Sequence, residues 1–181
     1  MKVNRIVSGS VAAVMALLPA AGMAAERECV VGRPTAASYS WNFRAEANDI
    51  FAQMKNDAWQ ARRHSEQLQA FTTEAEALQW QSHLNQLQQV RAAVNDMGER
   101  LCRLESIRRA VSPWQRQDIN RIARRVTLLA DNTQDALSFG NTHRETLWEP
   151  AYQRYVDNMY SQARALTKSL DQAASYGQQH S

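Results

Sequence analysis

Apolar residues recur at spacings of three and four along the chain between residues 39 and 176, and this pattern predicts amphipathic helices rather than strands. The predicted second helix carries the clearest apolar stripe: Leu87, Val90, Val94, Met97, Leu101, Leu104 and Val111. The predicted fourth helix has a similar stripe: Tyr152, Val156, Met159, Ala163, Leu166, Leu170 and Ala173. Ala, Gln, Arg, Leu and Glu make up half of this region, and all five favour helix.

Capping residues and prolines divide this region into four helices. Thr73 and Glu76 have the spacing of a capping box and predict the start of the second helix. The segment Ser112-Pro113-Trp114-Gln115 combines a second box with a proline at the first helical position, which predicts the start of the third helix. Pro150 is expected in the first turn of the last helix.

These helices predict one all-α domain. The stripes repeat about every 3.5 residues, which is the period of left-handed bundle packing, and short connections place successive helices side by side. We therefore predict a single up-down-up-down antiparallel four-helix bundle over residues 39–176, followed by a polar tail at 177–181.

The first 24 residues have the three-part pattern of a secretory signal peptide. Lys2 and Arg5 precede the apolar run Ile6–Ala21, and Gly22-Met23-Ala24 places small residues where a signal peptidase cleaves. Residues 25–38 predict an irregular lead that contains two helix breakers, a glycine and a proline. No second apolar span follows, so we expect an exported periplasmic or extracellular protein with no transmembrane span after cleavage.

Cleavage would also change the charge balance. Residues 1–24 hold two of the 21 Lys and Arg residues and none of the 18 Asp and Glu residues, so the rest of the chain carries 19 − 18 = +1. A charge so close to zero does not favour a nucleic-acid partner, and we expect none.

The two cysteines, Cys29 and Cys102, predict a disulfide bond. Disulfides persist in oxidising compartments such as the periplasm, and the spacing fits neither a zinc site nor a redox-active pair. Two free thiols are the alternative.

Three polar residues fall in positions where the helical pattern expects apolar side chains: Asp57, His64 and His83. Histidines from facing helices can hold a metal or haem inside a bundle, so one hypothesis is a haem or divalent-metal site with His64 and His83 as ligands and Asp57 behind them. The other hypothesis is an ordinary set of hydrogen-bonded polar side chains and no cofactor.

Arginine is the dominant cation, and eight arginines lie between residues 100 and 125. This segment spans the turn between the second and third helices, so one end of the bundle should be positive. Guanidinium groups bind carboxylates and phosphates in two-pronged geometry, and Trp and Arg are enriched where proteins meet partners. We therefore predict a contact surface made by Arg108, Arg109, Trp114 and Arg116. A solvated, salt-bridged face is the alternative.

No catalytic residues are predicted. The chain has no nucleophile elbow, phosphate-binding glycine loop or HExxH motif. We expect a non-catalytic binding or structural protein of the cell envelope, whose partner is another protein or an anionic envelope component. A metal- or haem-binding bundle is the alternative function.

Overall fold

The computed structural model describes residues 41–73 and 80–179, and over these residues the fold is entirely helical, as predicted. Its four helices are α1 (Phe43–Thr73), α2 (Trp80–Ile107), α3 (Pro113–Thr142) and α4 (Pro150–Gln179). No strand occurs in these ranges.

The core is formed by the apolar stripes that the sequence pattern identified. Every stripe residue of α4 is buried, and so are those of the predicted second stripe except Leu101, which is half-buried against the core. Val111, the last residue of that stripe, lies in the turn beyond α2, which ends at Ile107. The core also contains residues outside these two stripes, because Phe51 and Ser65 of α1 are both fully buried. Ser65 enters the core because its hydroxyl donates to the carbonyl of Ala61 one turn earlier, which removes the cost of burying a free polar group.

Each helix packs against two others: α1 against α2 and α4, and α3 against the same two helices. Ion pairs and hydrogen bonds fix the heights at which they meet. Arg103 near the end of α2 reaches Glu46 in the first turn of α1, whereas Gln86 near the start of α2 reaches His64 in the second half of α1. We call the end of the bundle with the α2–α3 turn, residues 108–112, the turn end. The end with the α3–α4 connection, residues 143–149, is the loop end.

The start of α3 has the predicted capping box. Ser112 is the N-cap, its hydroxyl accepts from the backbone N–H of Gln115, and its own N–H donates to Gln115 Oε1 at 2.9 Å. Pro150 is the first residue of α4, also as predicted. Thr73, which was expected to cap the second helix, is instead the last residue of α1, and its hydroxyl donates to the carbonyl of Ala70. Glu76, the other residue of that expected box, lies outside the described residues.

The last helix is longer than the pattern indicated. α4 continues through Gly177 to Gln179, although residues 177–181 were expected to form a polar tail. The reason is a tertiary contact, because Gly177 is buried where α4 passes Asn48 of α1.

The predicted signal peptide at 1–24 and the irregular lead at 25–38 lie outside the described residues, and so does Cys29. Cys102 is half-buried on α2, and its pairing with Cys29 stays a prediction. Among the helices of the described ranges, none has the length and apolar character needed to cross a membrane.

Candidate functional site

The predicted contact surface at the turn end contains paired and unpaired arginines. Arg108 is neutralised, because its Nη1 donates to both carboxylate oxygens of Glu105 at 2.9 and 3.0 Å, and its Nη2 donates to Asn120 Oδ1. Arg103 is paired as well, with Glu46 at 2.6 Å. This guanidinium hydrogen bond is the largest cause that lowers the pKa of Glu46.

Arg109 and Arg116 differ from these neighbours. Both side chains are exposed, and neither contacts a carboxylate in the part of the chain that the structure describes. Arg109 lies in the α2–α3 turn and Arg116 in the first turn of α3. The positive charge available to a partner at the turn end is therefore carried by these two residues rather than by Arg108.

Aromatic side chains lie at the same end of the bundle as these arginines. Trp114 is half-buried and packs edge-on against Tyr176 of α4, with ring centroids 4.7 Å apart, while Tyr176 itself is 44% exposed. Trp41, at the start of α1, is 62% exposed and its indole N–H donates to Glu46 Oε2. The sequence pattern singled out Trp114 but not Tyr176, because only the tertiary fold brings the end of α4 to this end of the bundle.

A buried amide holds the start of α3 in place under this surface. Gln115 is 1% exposed, and its Nε2 donates to the backbone carbonyl of Arg44 and to Asn48 Oδ1, each at 2.8 Å. The Arg116 backbone is thus fixed relative to α1 by the residue that precedes it.

The three polar residues of the cofactor hypothesis have separate protein partners. Nδ1 of His64 lies 2.6 Å from Gln86 Oε1, and Asp57 Oδ2 lies 2.8 Å from Arg100 Nη1. Burial raises the pKa of Asp57, and the Arg100 charge opposes that rise. Within residues 41–73 and 80–179, no group of three His, Cys, Asp or Glu side chains is placed to hold a metal ion. Each of the three side chains is thus held by a partner from a different helix.

His83 is the most unusual of the three. It is 1% exposed, at the loop end of the core, between the rings of Phe71 and Tyr152 at centroid distances of 5.4 and 5.5 Å. Its Nδ1 lies 3.1 Å from the Tyr152 hydroxyl, whereas its buried Nε2 has no hydrogen-bond partner among residues 41–73 and 80–179. Burial lowers the pKa of His83, so the ring is neutral at pH 7.

The outer face of α3 carries a second set of charges beyond the turn end. Arg121 pairs with Asp118 at 2.6 Å, and Leu128 is 42% exposed. Burial raises the pKa of Asp118, and Arg121 works against that rise. Asp131 and Asp135 are exposed on the same face, further along the helix. Sequence reasoning counted the arginines here but missed the leucine and the two aspartates, although their spacings of three and four were visible.

Comparisons with known proteins give no family for this chain. No protein-family model matches it, and neither the curated proteins nor the solved structures contain a significant match. The fold and its surfaces therefore define a helical-bundle protein, and its function has to be argued from them alone.

Proposed function

We propose that this chain is a non-catalytic binding protein of the periplasm or cell envelope, and that its turn end contacts an anionic envelope component. The observation that carries the proposal is the pair of exposed guanidinium groups of Arg109 and Arg116, which make no ion pair within the described part of the chain. Guanidinium groups without a carboxylate partner are free to make two-pronged hydrogen bonds to phosphate or carboxylate groups.

The neighbouring aromatic residues support a recognition surface rather than a plain solvated end. Exposed Trp41 and Tyr176 offer flat apolar faces beside the charges. Trp, Tyr and Arg are the residue types that dominate binding energy at interfaces. Arg108 is less available to a partner, because Glu105 and Asn120 already accept hydrogen bonds from its guanidinium group.

Export and the fine topology are parts of the same proposal. The signal-peptide pattern of residues 1–24 supports export, and it also supports a Cys29–Cys102 disulfide in an oxidising compartment. The contacts of Arg103 with Glu46 and of Gln86 with His64 support the up-down-up-down order, since antiparallel neighbours meet in this way.

Co-sedimentation of the purified exported protein with envelope fractions tests the binding surface. The variant R109S/R116S removes both free guanidinium groups, and R154S/R164S removes two exposed charges from α4 as a matched control. We expect only the first variant to lose binding. Equal retention in both variants, or no sedimentation of the natural chain, would exclude the turn end as the contact surface.

A second candidate function is a haem or divalent-metal protein that uses His83 alone as a protein ligand. It is favoured by one observation, the buried Nε2 of His83 with no partner while Nδ1 is held by Tyr152. In a metal-bound histidine one ring nitrogen binds the metal and the other makes a hydrogen bond, so Nε2 would be the ligand atom here and Nδ1 the hydrogen-bonded atom. An absorption spectrum and elemental analysis of the natural protein, compared with H83A, test it, and a colourless, metal-free protein would reject it.

A further inference from the structure

The outer face of α3 has a symmetric pattern of charge centred on an exposed leucine. Arg121 lies seven residues before Leu128 and Asp135 lies seven after it, while Arg125 lies three before and Asp131 three after. Residues at these spacings of three, four and seven share one side of a helix. We call this set the α3 charge stripe, and we include Arg124 in it.

The stripe is not satisfied within its own chain. Asp131, Asp135 and Arg124 are exposed and make no ion pair in the ranges that the structure describes. Arg125 is half-buried, and within the same ranges it makes no ion pair either. Arg121 alone is paired, with Asp118. The unpaired charges are therefore available to form ion pairs with another molecule.

The segregation of the charges works against the isolated helix. Arg121 and Arg125 are four residues apart, and so are Asp131 and Asp135. Like charges at this spacing destabilise a helix, whereas alternation of the two signs would have stabilised it. The sorting of positive charge before Leu128 and negative charge after it fits an external partner whose charges run in the opposite order.

A second copy of α3 has that opposite order when the two helices lie antiparallel. We propose that the chain forms a two-fold symmetric dimer through the α3 charge stripe, with Leu128 at the symmetry axis. Arg121 then faces Asp135 of the other copy, and Arg125 faces its Asp131, because each pair lies at equal distances from Leu128. At a rise of 1.5 Å per residue these distances are about 10 Å and about 4.5 Å.

The two-fold axis also gives Leu128 a partner. A leucine that is 42% exposed among charged residues would pack on its own copy, and a two-fold axis is the arrangement in which one residue meets itself. The surface is separate from Arg109 and Arg116, so the dimer does not depend on the proposed envelope contact.

The chemistry predicts a weak dimer that is sensitive to salt. Exposed ion pairs each contribute little and are screened as ionic strength rises, and a single leucine adds only a small apolar contact. Sedimentation velocity over a concentration series at low and high salt is the direct measurement. We expect a monomer–dimer equilibrium at low salt that shifts toward monomer as salt is added. A monomer at every concentration and salt level would overturn the proposal.

Charge reversal tests which residues form the contact. R121E/R125E and D131R/D135R each bring like charges together, so each should weaken dimerisation by at least about tenfold. A mixture of the two variants restores opposite charges and should form a mixed dimer. R154E/R164E, with an equal change of charge on α4, is the control and should dimerise normally. A failure of the mixture to associate, or an equal effect of the control, would overturn the assigned contact.

A cysteine at the axis provides a test that does not depend on the charged variants folding. Under mild oxidation L128C should form a disulfide-linked dimer on a non-reducing gel, because residue 128 meets its own copy. R154C is the matched control and should remain monomeric. Absence of the L128C dimer, or equal cross-linking of R154C, would contradict a two-fold axis at Leu128.

Discussion

The hydroxyl of Tyr152 on α4 lies 3.1 Å from Nδ1 of His83 on α2, and both side chains are at most 1% exposed. This hydrogen bond crosses the core at the loop end and lies beside the ring of Phe71. Whichever group donates, Nε2 of His83 keeps no partner. A neutral histidine is thus held in the core by packing and by a single hydrogen bond. The free energy of unfolding should therefore depend on the protonation of His83 and on the Tyr152 hydroxyl.

His83 should make the protein less stable in mild acid. A histidine in an unfolded chain has a pKa near 6.5, and burial lowers the pKa of His83 in the folded chain. The unfolded state therefore binds a proton that the folded state excludes, so the free energy of unfolding falls as pH drops below about 6.5 and levels off below the folded pKa. Urea titrations at several pH values between about 7.5 and 5 would measure this slope.

The double variant H83F/Y152F removes the titrating group and its hydroxyl partner together, so its slope in this window should be smaller. H64Q changes a half-buried histidine at the α1–α2 contact and serves as the control. An unchanged slope in H83F/Y152F would rule out His83 as the acid-sensitive group. The lowered pKa of Glu46 acts in a more acidic range, where its stabilisation is lost as pH falls below about 4.5.

Loss of the Tyr152 hydroxyl should be costly. Y152F leaves both ring nitrogens of His83 buried without partners, and an unsatisfied buried polar group costs about 1–3 kcal/mol. Chemical denaturation would measure the change in the free energy of unfolding. Y155F, at a half-buried tyrosine of the same helix, is the matched control, with an expected effect below about 0.5 kcal/mol. Equal changes in the free energy of unfolding for Y152F and Y155F would mean that the Tyr152–His83 hydrogen bond does not stabilise the fold more than an ordinary tyrosine hydroxyl does.

Gly177 should resist replacement by alanine despite its place inside a helix. A Cβ at this position would lie 2.7 Å from Cγ and Oδ1 of Asn48. Asn48 would have to move, and its hydrogen bond from Gln115 would break. Alanine is favoured over glycine in a helix by about 1 kcal/mol, so we expect a net loss of about 1–2 kcal/mol when the clash and the broken bond outweigh that gain.

The background variant N48A supplies the control for this prediction. With the asparagine side chain removed, the steric conflict disappears and only the helix preference remains. G177A should then stabilise N48A, as thermal or urea unfolding would measure. A destabilising effect of the same size in both backgrounds would show that the Asn48 contact is not the cause.

The predicted disulfide should link Cys29 to Cys102. Cys102 precedes Arg103, whose contact with Glu46 places this part of α2 beside the start of α1, and Cys29 precedes α1 in the sequence. A bridge that closes a loop of about 70 residues would stabilise the chain by about 4 kcal/mol. Non-reducing peptide mapping of exported protein, followed by unfolding with and without reductant, tests both statements. Two alkylatable thiols in the natively exported protein would contradict the pairing.

Much of the fold was predictable because it depends on local periodicity. The stripe from Tyr152 to Ala173 repeats at helical spacing, and the box of Ser112 and Gln115 satisfies the first backbone donors of α3 through neighbouring residues. Such signals need only a few consecutive residues, so they can be seen in the sequence. The end of α4 could not be predicted in this way, since Gly177 is buried close to Asn48, which lies 129 residues earlier in the chain (177 − 48).

The candidate sites were predicted less well. Sequence counting grouped Arg108 with Arg109 and Arg116, but Asn120 and Glu105 occupy the Arg108 guanidinium. It also grouped His64 with His83, although each lies against a different partner. Which charges pair depends on the rotation of each helix about its own axis, and this rotation is set by packing along the whole length of the bundle.

The sequence by itself determined the all-helical class, the core-facing stripes and the starts of α3 and α4, because backbone capping and the burial of periodic apolar residues act over short distances. Only the tertiary structure decided that Asp57 pairs with Arg100, that His83 is buried in the core and that Arg109 meets no carboxylate among the described residues. The physical reason is that charge pairing and the desolvation of polar groups depend on distances between helices.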